Sequence, residues 1–451
     1  MNNSRGNFTS KLGFVLAAAG SAVGLGNLWR FPYLAAKYGG GIFLLVYLIL
    51  AVTFGFTLMI TEIAIGRKTG SSAIVAFKKL DKRFSFLGWL ACAVPFIITP
   101  YYCVIGGWVL KYLVTFLTGS MEAAASDSFF GGYIAEPIQP LIWFAIYILL
   151  NVVVVIAGVE KGIEKASKFM MPLLIVMSIG ISVFCCMQPG ASEGLKYYLL
   201  PDFSRFSFTT VLAAMGQLFY SMSLAMGIMI TYGSYLKKET HLEQSVRQIE
   251  IFDTLIAFMA GLMIIPSVFV FSGGNEETLN KGAGLMFITL PKVFNSMGIG
   301  GVLGAVFFLL VLFAALTSSI SLMETNVSIL CDKLKWNRKR STIAVAIYVL
   351  ILGAFVSMGY GVLDFITPLK MQLLDFFDFI SNSVMMPLVA ACTCIMVGYV
   401  LKTKVIEEEV ELNGEFKSKK YYRFIIRYIA PVCLIAILIF SVMEALGIIT
   451  V

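Results

Sequence analysis

The sequence predicts an all-α polytopic membrane protein: an inverted five-helix repeat, spans 1–5 and 6–10, with spans 1 and 6 broken, plus an eleventh span. Three observations predict it. The 451-residue chain is 59% hydrophobic and only 13% charged, a balance that soluble folds do not show. It divides into eleven apolar stretches, each near the roughly 20 residues that a bilayer crossing needs. Two of these, five apart in order, carry glycines and polar residues at mid-membrane. Because five is odd, two five-span units in series cross the membrane in opposite senses. Interrupted helices at matching places in inverted halves point to a transporter binding site.

The spans are read at about 12–37, 41–66, 87–117, 137–157, 167–187, 208–235, 248–271, 298–330, 341–358, 371–400 and 424–447. One transporter domain, 1–451, is expected to hold a first inverted repeat over 12–187, a second over 207–400 and an additional span at 424–447. No short apolar region with a small-residue cleavage site precedes span 1, so no cleavable signal peptide is expected. In span 1, GFVLAAAGSAVGLGNLWRFP (13–32) begins apolar and then sets Gly20, Gly24 and Gly26 ahead of Asn27 and Arg30. Glycine costs a helix roughly 1 kcal/mol relative to alanine, and unwound backbone is tolerated at membrane depth only where it lines an enclosed cavity. Tight packing on a neighbour would account for the glycines, but it needs neither Asn27 nor Arg30. A break here offers carbonyls to cations and N–H groups to carboxylates. Span 6 repeats the pattern, with Ser221, Ser223 and Gly227 at its centre. Among the loops, 118–136 is expected to be polar and disorder-prone. Leu285 to Leu290 is expected to form a short re-entrant hairpin serving as a lid. The stretch 401–422, with Asn413-Gly414 suited to a tight turn, is expected to be a solvated loop.

The net charge of +8 does not indicate a nucleic-acid partner, because the basic residues cluster in short loops. Arg67, Lys68, Lys78, Lys79, Lys82, Arg83, Lys161, Lys165, Lys168, Lys333, Lys335, Arg338, Lys339, Arg340, Lys417, Lys419 and Lys420 all fall on one side if the spans alternate. The positive-inside rule puts that side, and the N-terminus, in the cytoplasm; eleven spans then leave the C-terminus outside. The eight cysteines lie within or at the ends of apolar stretches with no CxxC pair, and His241 is the single histidine. Zinc sites and Cys–His nucleophilic chemistry are therefore unsupported.

Ionisable residues inside spans are costly and mark function by default. Here they include Arg30, Glu62, Asp253, Glu324 and Asp378. Arg30 and Asp378 both fall toward the outer side, where pairing would neutralise them and close a pathway. Asp253 stands alone among apolar neighbours in IFDTLIAF and needs a cation or a proton. Thr317, Ser318 and Ser319 are consecutive hydroxyls in a strongly apolar helix. Such hydroxyls can back-bond to their own helix. Alternatively, with carbonyls of Gly20 and Val23, they form the oxygen set that a hard cation such as Na⁺ takes.

GSAVGLGNLWRFPYLAAKYGGG (20–41), GQLFYSMSLAMG (216–227), ITYGSY (230–235), FITLP (287–291) and LTSSIS (316–321) resemble the neurotransmitter:sodium symporter family, from Arg5 to about Tyr399. The bacterial members of the family are amino-acid transporters. The resemblance implies two Na⁺ ions and no organic cofactor. The first ion would meet the Ala22 carbonyl, the Asn27 side chain, Ser221, Asp253 and the substrate carboxylate. The second would meet carbonyls of Gly20, Val23 and Ala314 and the hydroxyls of Thr317 and Ser318. The substrate carboxylate would meet N–H groups of Leu25 and Gly26 and the Tyr102 hydroxyl. Its ammonium would meet carbonyls of Ala22, Tyr220 and Ser221 and the Ser223 hydroxyl. The side-chain pocket would be Ser21, Ile98, Tyr102, Tyr220, Met226, Ser318 and Leu322. The outer gate would pair Arg30 with Asp378, and the inner gate Arg5 with Asp332, with Phe8 and Tyr235 nearby. The location implied is a bacterial inner (cell) membrane, with the lipid bilayer as the surrounding partner.

The chain departs from the common pattern at three of these places. Asp253 stands where many members have Asn, Ala225 where Gly is usual, and Glu324 where Gln is common. Members with Asn at the first of these positions often rely on an anion beside Tyr47, Gln217 and Ser221. A fixed carboxylate at Asp253 predicts chloride independence, with proton counter-movement on the empty return. The expected activity is sodium-coupled import of a hydrophobic or aromatic amino acid by alternating access. The alternative from another class is a non-transporting amino-acid sensor or scaffold on the same fold. Two gates and an occludable pocket argue against an ion channel, and no nucleophile–base pair points to an enzyme.

Overall fold

In a computed structural model of the chain, residues 6–273 and 284–445 are described. Among them, nine helices are long and apolar enough to cross a membrane: Gly41–Thr69, Lys82–Leu117, Gln139–Ile156, Val159–Cys186, Leu242–Ser272, Gly300–Leu334, Arg338–Tyr360, Leu373–Val400 and Lys419–Met443. A further span is bent by 48° between Lys11–Ala22 and Gly26–Lys37, and another is split into Phe208–Ser221 and Ile228–Gly233. In chain order these are the eleven expected spans, and the broken ones are the first and the sixth. Counterpart spans pack on one another: first on sixth, second on seventh, third on eighth, fourth on ninth.

Burial sorts the spans by role. Among the nine unbroken spans the third is the most enclosed, with 78% of its apolar window buried, against 33% for the fourth and eleventh. The outward faces carry Phe169, Val176, Ile351 and Val432, which are 65–69% exposed, as a helix facing hydrocarbon requires. The basic clusters gather at one end of the bundle, here called the basic end.

Three loop expectations meet the structure differently. Residues 118–136 are ordered into helices Met121–Ala124 and Asp127–Ala135. Their aromatic residues have partners: Phe130 stacks on Phe287 with ring centres 5.0 Å apart and meets Trp108 edge-on at 5.4 Å. The apolar segment Leu285–Asn295 is helical and is tied to the third span by the Tyr112 hydroxyl, which donates to the Phe287 carbonyl at 2.7 Å. The preceding residues, 274–283, lie outside the described residues. The stretch 401–422 is not a solvated loop. Helix Lys404–Val410 buries Ile406, Glu407, Glu409 and Val410. Arg67, at the end of the second span, pairs with Glu409 at 2.8 Å and donates to the Thr240 carbonyl at 2.6 Å. A short 3₁₀ turn, Glu411–Asn413, ends at Gly414.

Candidate substrate and cation site

The site begins with the two breaks. Span 1 leaves helical geometry at Val23 (φ −73°, ψ 103°), where the Gly24 N–H donates to Asn27 Oδ1 at 3.0 Å. That bond satisfies a backbone donor which the interrupted helix cannot. Glycine is required at position 24 by close approach: a Cβ there would lie 2.8 Å from the Tyr102 hydroxyl oxygen. Span 6 breaks more sharply. Ser223, Ala225 and Gly227 take left-handed φ of +53°, +59° and +70°, and the first two are costly for residues with a side chain. A buried carboxylate secures this segment. Glu62, from the second span, accepts the Ala225 N–H at 2.7 Å, and its second oxygen has no partner. The breaks also hold each other, with the Ser223 hydroxyl donating to the Ser21 carbonyl at 2.8 Å.

Where the breaks meet lies a small cavity, lined by Ser21, Ala22, Gly24, Gly26, Ile98, Tyr102, Tyr220, Ser223, Met226, Ile228, Ser318 and Leu322. Ten of the twelve residues expected at the substrate are in that lining. The other two lie just behind it: the Leu25 N–H donates to the Tyr102 hydroxyl at 3.2 Å, and the Ser221 hydroxyl turns to Asp253. No lining residue carries a charge, and Ile98, Met226, Ile228 and Leu322 form an apolar part.

On one flank, Asp253 anchors a fully buried polar cluster. Its Oδ1 accepts from Asn27 Nδ2 and from the Ser221 hydroxyl, each at 2.7 Å, and the Tyr47 hydroxyl lies 3.3 Å from both Oδ2 and Ser221 Oγ. Gln217 donates to the Gly26 carbonyl at 2.7 Å, leaving its own buried amide oxygen without a partner. On the other flank, Ser318 Oγ lies 3.0, 3.2 and 3.4 Å from the carbonyl oxygens of Ser21, Val23 and Gly20. Thr317 Oγ1 is 3.0 Å from the Ala314 and Phe313 carbonyls, the back-bonded arrangement. Two groups of oxygens thus flank the cavity, one with a formal negative charge and one without.

The gate residues fare differently. Among the described residues no ion pair joins Arg30 to Asp378, contrary to the expected direct pairing. Arg30 lies over the Tyr220 ring, 5.4 Å from its centre, while Asp378 accepts from Tyr101 at 3.1 Å and from the Asn382 amide. At the basic end, Asp332 accepts from the Ser72 N–H and hydroxyl at 2.7 and 2.6 Å; Arg5 lies outside the described residues. Phe8 is buried edge-on to Phe14, Tyr232 and Tyr235. The Tyr235 hydroxyl donates to Glu324 at 2.7 Å, and Glu324 pairs with Arg338. Sequence reading missed Glu164. It accepts from the Thr9 N–H at 2.8 Å and from Lys168 at 2.7 Å, and so holds the start of span 1. The Glu-Lys spacing of i, i+4 was its one visible signal.

The profile of the Sodium:neurotransmitter symporter family matches residues 5–130 and 134–448. An uncharacterized sodium-dependent transporter of Bacillus subtilis, YhdH, is 33% identical over 95% of this chain and 96% of its own length. An uncharacterized sodium-dependent transporter of Haemophilus influenzae is 32% identical over 97% and 98%. The human sodium- and chloride-dependent GABA transporter 2 is 26% identical over 98% of this chain and 80% of its own. The crystal structure of MhsT in complex with L-phenylalanine superposes with a TM-score of 0.88 at 37% identity, covering 97% of this chain and all of that one.

Proposed function

This chain belongs to the sodium:neurotransmitter symporter family, and on that premise we propose that it imports a hydrophobic or aromatic amino acid, driven by two Na⁺ ions, through alternating access. The observation that carries the reading is the cavity between the paired breaks: polar at the backbone ends of spans 1 and 6, apolar at Ile98, Met226 and Leu322, and free of charged side chains. A zwitterion suits it, because helix ends left unsatisfied by a break present N–H groups to a carboxylate and carbonyls to an ammonium. L-phenylalanine bound to MhsT supports the size class.

The Asp253 cluster is the first Na⁺ site in this reading, and the Ser318 and Thr317 oxygens with the Gly20, Val23 and Ala314 carbonyls are the second. A tenfold gradient is worth about 1.4 kcal/mol and 100 mV about 2.3 kcal/mol per charge. Two Na⁺ therefore supply roughly 7 kcal/mol, or about 10⁵-fold accumulation of a zwitterion. The Asp253 carboxylate offsets one positive charge in the loaded site, where unpaired charge is expensive. Uptake is thus independent of chloride, and the empty carrier returns with a proton. Arg30 and Asp378 close the outer side as they approach each other, and Asp332 closes the inner side with Arg5. The basic end faces the cytoplasm of a bacterial cell membrane.

The test is uptake of a panel of radiolabelled amino acids into proteoliposomes with and without a Na⁺ gradient. Wild type should accumulate phenylalanine and its apolar relatives only with Na⁺. Thr317→Val with Ser318→Ala should abolish Na⁺-dependent uptake while the protein still inserts. Uptake that ignores Na⁺, or unchanged Na⁺ dependence in the double variant, would overturn the reading.

A further inference from the structure

The eighth span carries three consecutive hydroxyls, Thr317, Ser318 and Ser319, and the cation site proposed above uses two of them. Successive side chains on an α-helix point about 100° apart, so Ser319 cannot face span 1 while Ser318 does. It turns instead to the fourth span. Its Oγ donates to Asn151 Oδ1 at 2.7 Å and lies 2.8 Å from the Tyr147 hydroxyl oxygen. Asn151 Nδ2 in turn donates to the Tyr147 carbonyl at 2.9 Å. All three residues are fully buried, and every side-chain polar atom of the network has a partner.

This closed network backs directly onto the oxygens around Ser318. Rotating the eighth span enough to carry Ser318 away from the Ser21, Val23 and Gly20 carbonyls would break both links of Ser319 to the fourth span, leaving only its contact with the Leu316 carbonyl of its own helix at 3.2 Å, at a depth where no water replaces them. We propose that Asn151 and Tyr147, acting through Ser319, are positioning residues for the second Na⁺ site. They hold the rotation of the eighth span that presents Thr317 and Ser318 to span 1. The fourth span packs on the third and ninth rather than on span 1, so it supplies a reference outside the broken pair. The proposal rests on the reading of Thr317 and Ser318 as Na⁺ ligands.

The experiment compares Ser319→Ala, Ser319→Thr and Tyr147→Phe in proteoliposomes. It measures half-saturating Na⁺ at saturating phenylalanine, and the phenylalanine KM at saturating Na⁺. Tyr147→Phe should raise half-saturating Na⁺ about three- to twentyfold, the range expected for one lost interhelical hydrogen bond in a membrane, and Ser319→Ala, which loses two, at least as much. The KM should stay within about twofold of wild type, and Ser319→Thr, which keeps the hydroxyl, should restore Na⁺ affinity. Tyr147→Phe cuts one of the two links from the other helix, leaving the Asn151 bond, and so covers failure of Ser319→Ala to insert. Unchanged half-saturating Na⁺ in both deletions would overturn the proposal. A parallel loss of Na⁺ and substrate affinity without rescue by threonine would mark a merely structural contact and overturn it too. If the Thr317→Val, Ser318→Ala protein loses Na⁺-dependent uptake while these variants stay silent, only the positioning role fails. If that protein keeps its Na⁺ dependence, the cation-site reading itself falls, and this proposal with it.

Discussion

Asp253→Asn separates charge from shape at the first cation site. The carboxylate accepts from Asn27 and Ser221 at 2.7 Å each and from Tyr47 at 3.3 Å. Asparagine keeps one acceptor oxygen and nearly the same volume, so the substitution removes chiefly the charge. Hydrogen bonds to a charged group are worth about 1.5–3 kcal/mol, against about 0.5–1.5 for a neutral one; three of them lose on the order of 3 kcal/mol. A unit charge about 4 Å from a bound cation contributes about 4 kcal/mol at an effective dielectric of 20. That second effect acts on Na⁺ affinity directly and corresponds to about 10³-fold. The assay is labelled phenylalanine uptake into proteoliposomes in sodium chloride and in sodium gluconate. Wild type should transport equally in both. The variant should fall to background in gluconate and recover, if at all, only with added chloride. Its dependence on internal pH should also flatten, because the acidic group is gone. Wild-type uptake that collapses without chloride would refute the charge-substitution reasoning, and Asp253 would then have another role.

Met226→Phe places a ring in the apolar part of the cavity and should shift preference from aromatic toward smaller aliphatic amino acids; a competition series among Trp, Phe, Leu and Ala with unchanged rank order would contradict it. Glu409→Gln leaves the Arg67 guanidinium, whose side chain is fully buried, without its counter-charge, at a cost of about 3 kcal/mol. The thermal midpoint of the purified protein should drop clearly, and an unchanged midpoint would show that the backbone acceptors suffice. Burial pushes the Glu407 carboxyl up, but its bonds from Arg423, 2.6 Å each, with Thr403 and Lys419, bring it down from 4.5 to about 2. A carboxyl depressed in the folded state contributes stability above its unfolded value and loses that contribution as pH falls from about 4.5 toward 2. Glu407→Gln should therefore flatten the acid limb of stability against pH; equal slopes in the two proteins would rule this out.

Much of this molecule is legible in one dimension because lipid makes the code local. A bilayer demands about 20 apolar residues per crossing, and any glycine or hydroxyl cluster inside such a run stands out against it. Hence the eleven spans, the breaks at Gly24 and at Ser223 to Gly227, and most of the cavity lining could be read from the order of residues, with the family resemblance assigning roles. Outside the membrane that constraint disappears. Whether Glu409 is solvated or buried depends on Arg67, 342 residues away in sequence, and no local pattern joins the two. The aromatic residues of 118–136 looked like loop until Phe287 and Trp108 supplied a surface to bury them. Rotation and rotamer were equally beyond reach. Three adjacent hydroxyls read as one motif, yet helical geometry sends Ser319 to the fourth span and Ser318 to the first. Arg30 and Asp378 were a plausible pair by charge, but Tyr220 takes the guanidinium and Tyr101 with Asn382 the carboxylate. Composition along the chain thus determined which segments cross the membrane and where they break. Partners brought together from distant segments, competing over a few ångströms for the same polar groups, decided what each buried charge and hydroxyl meets.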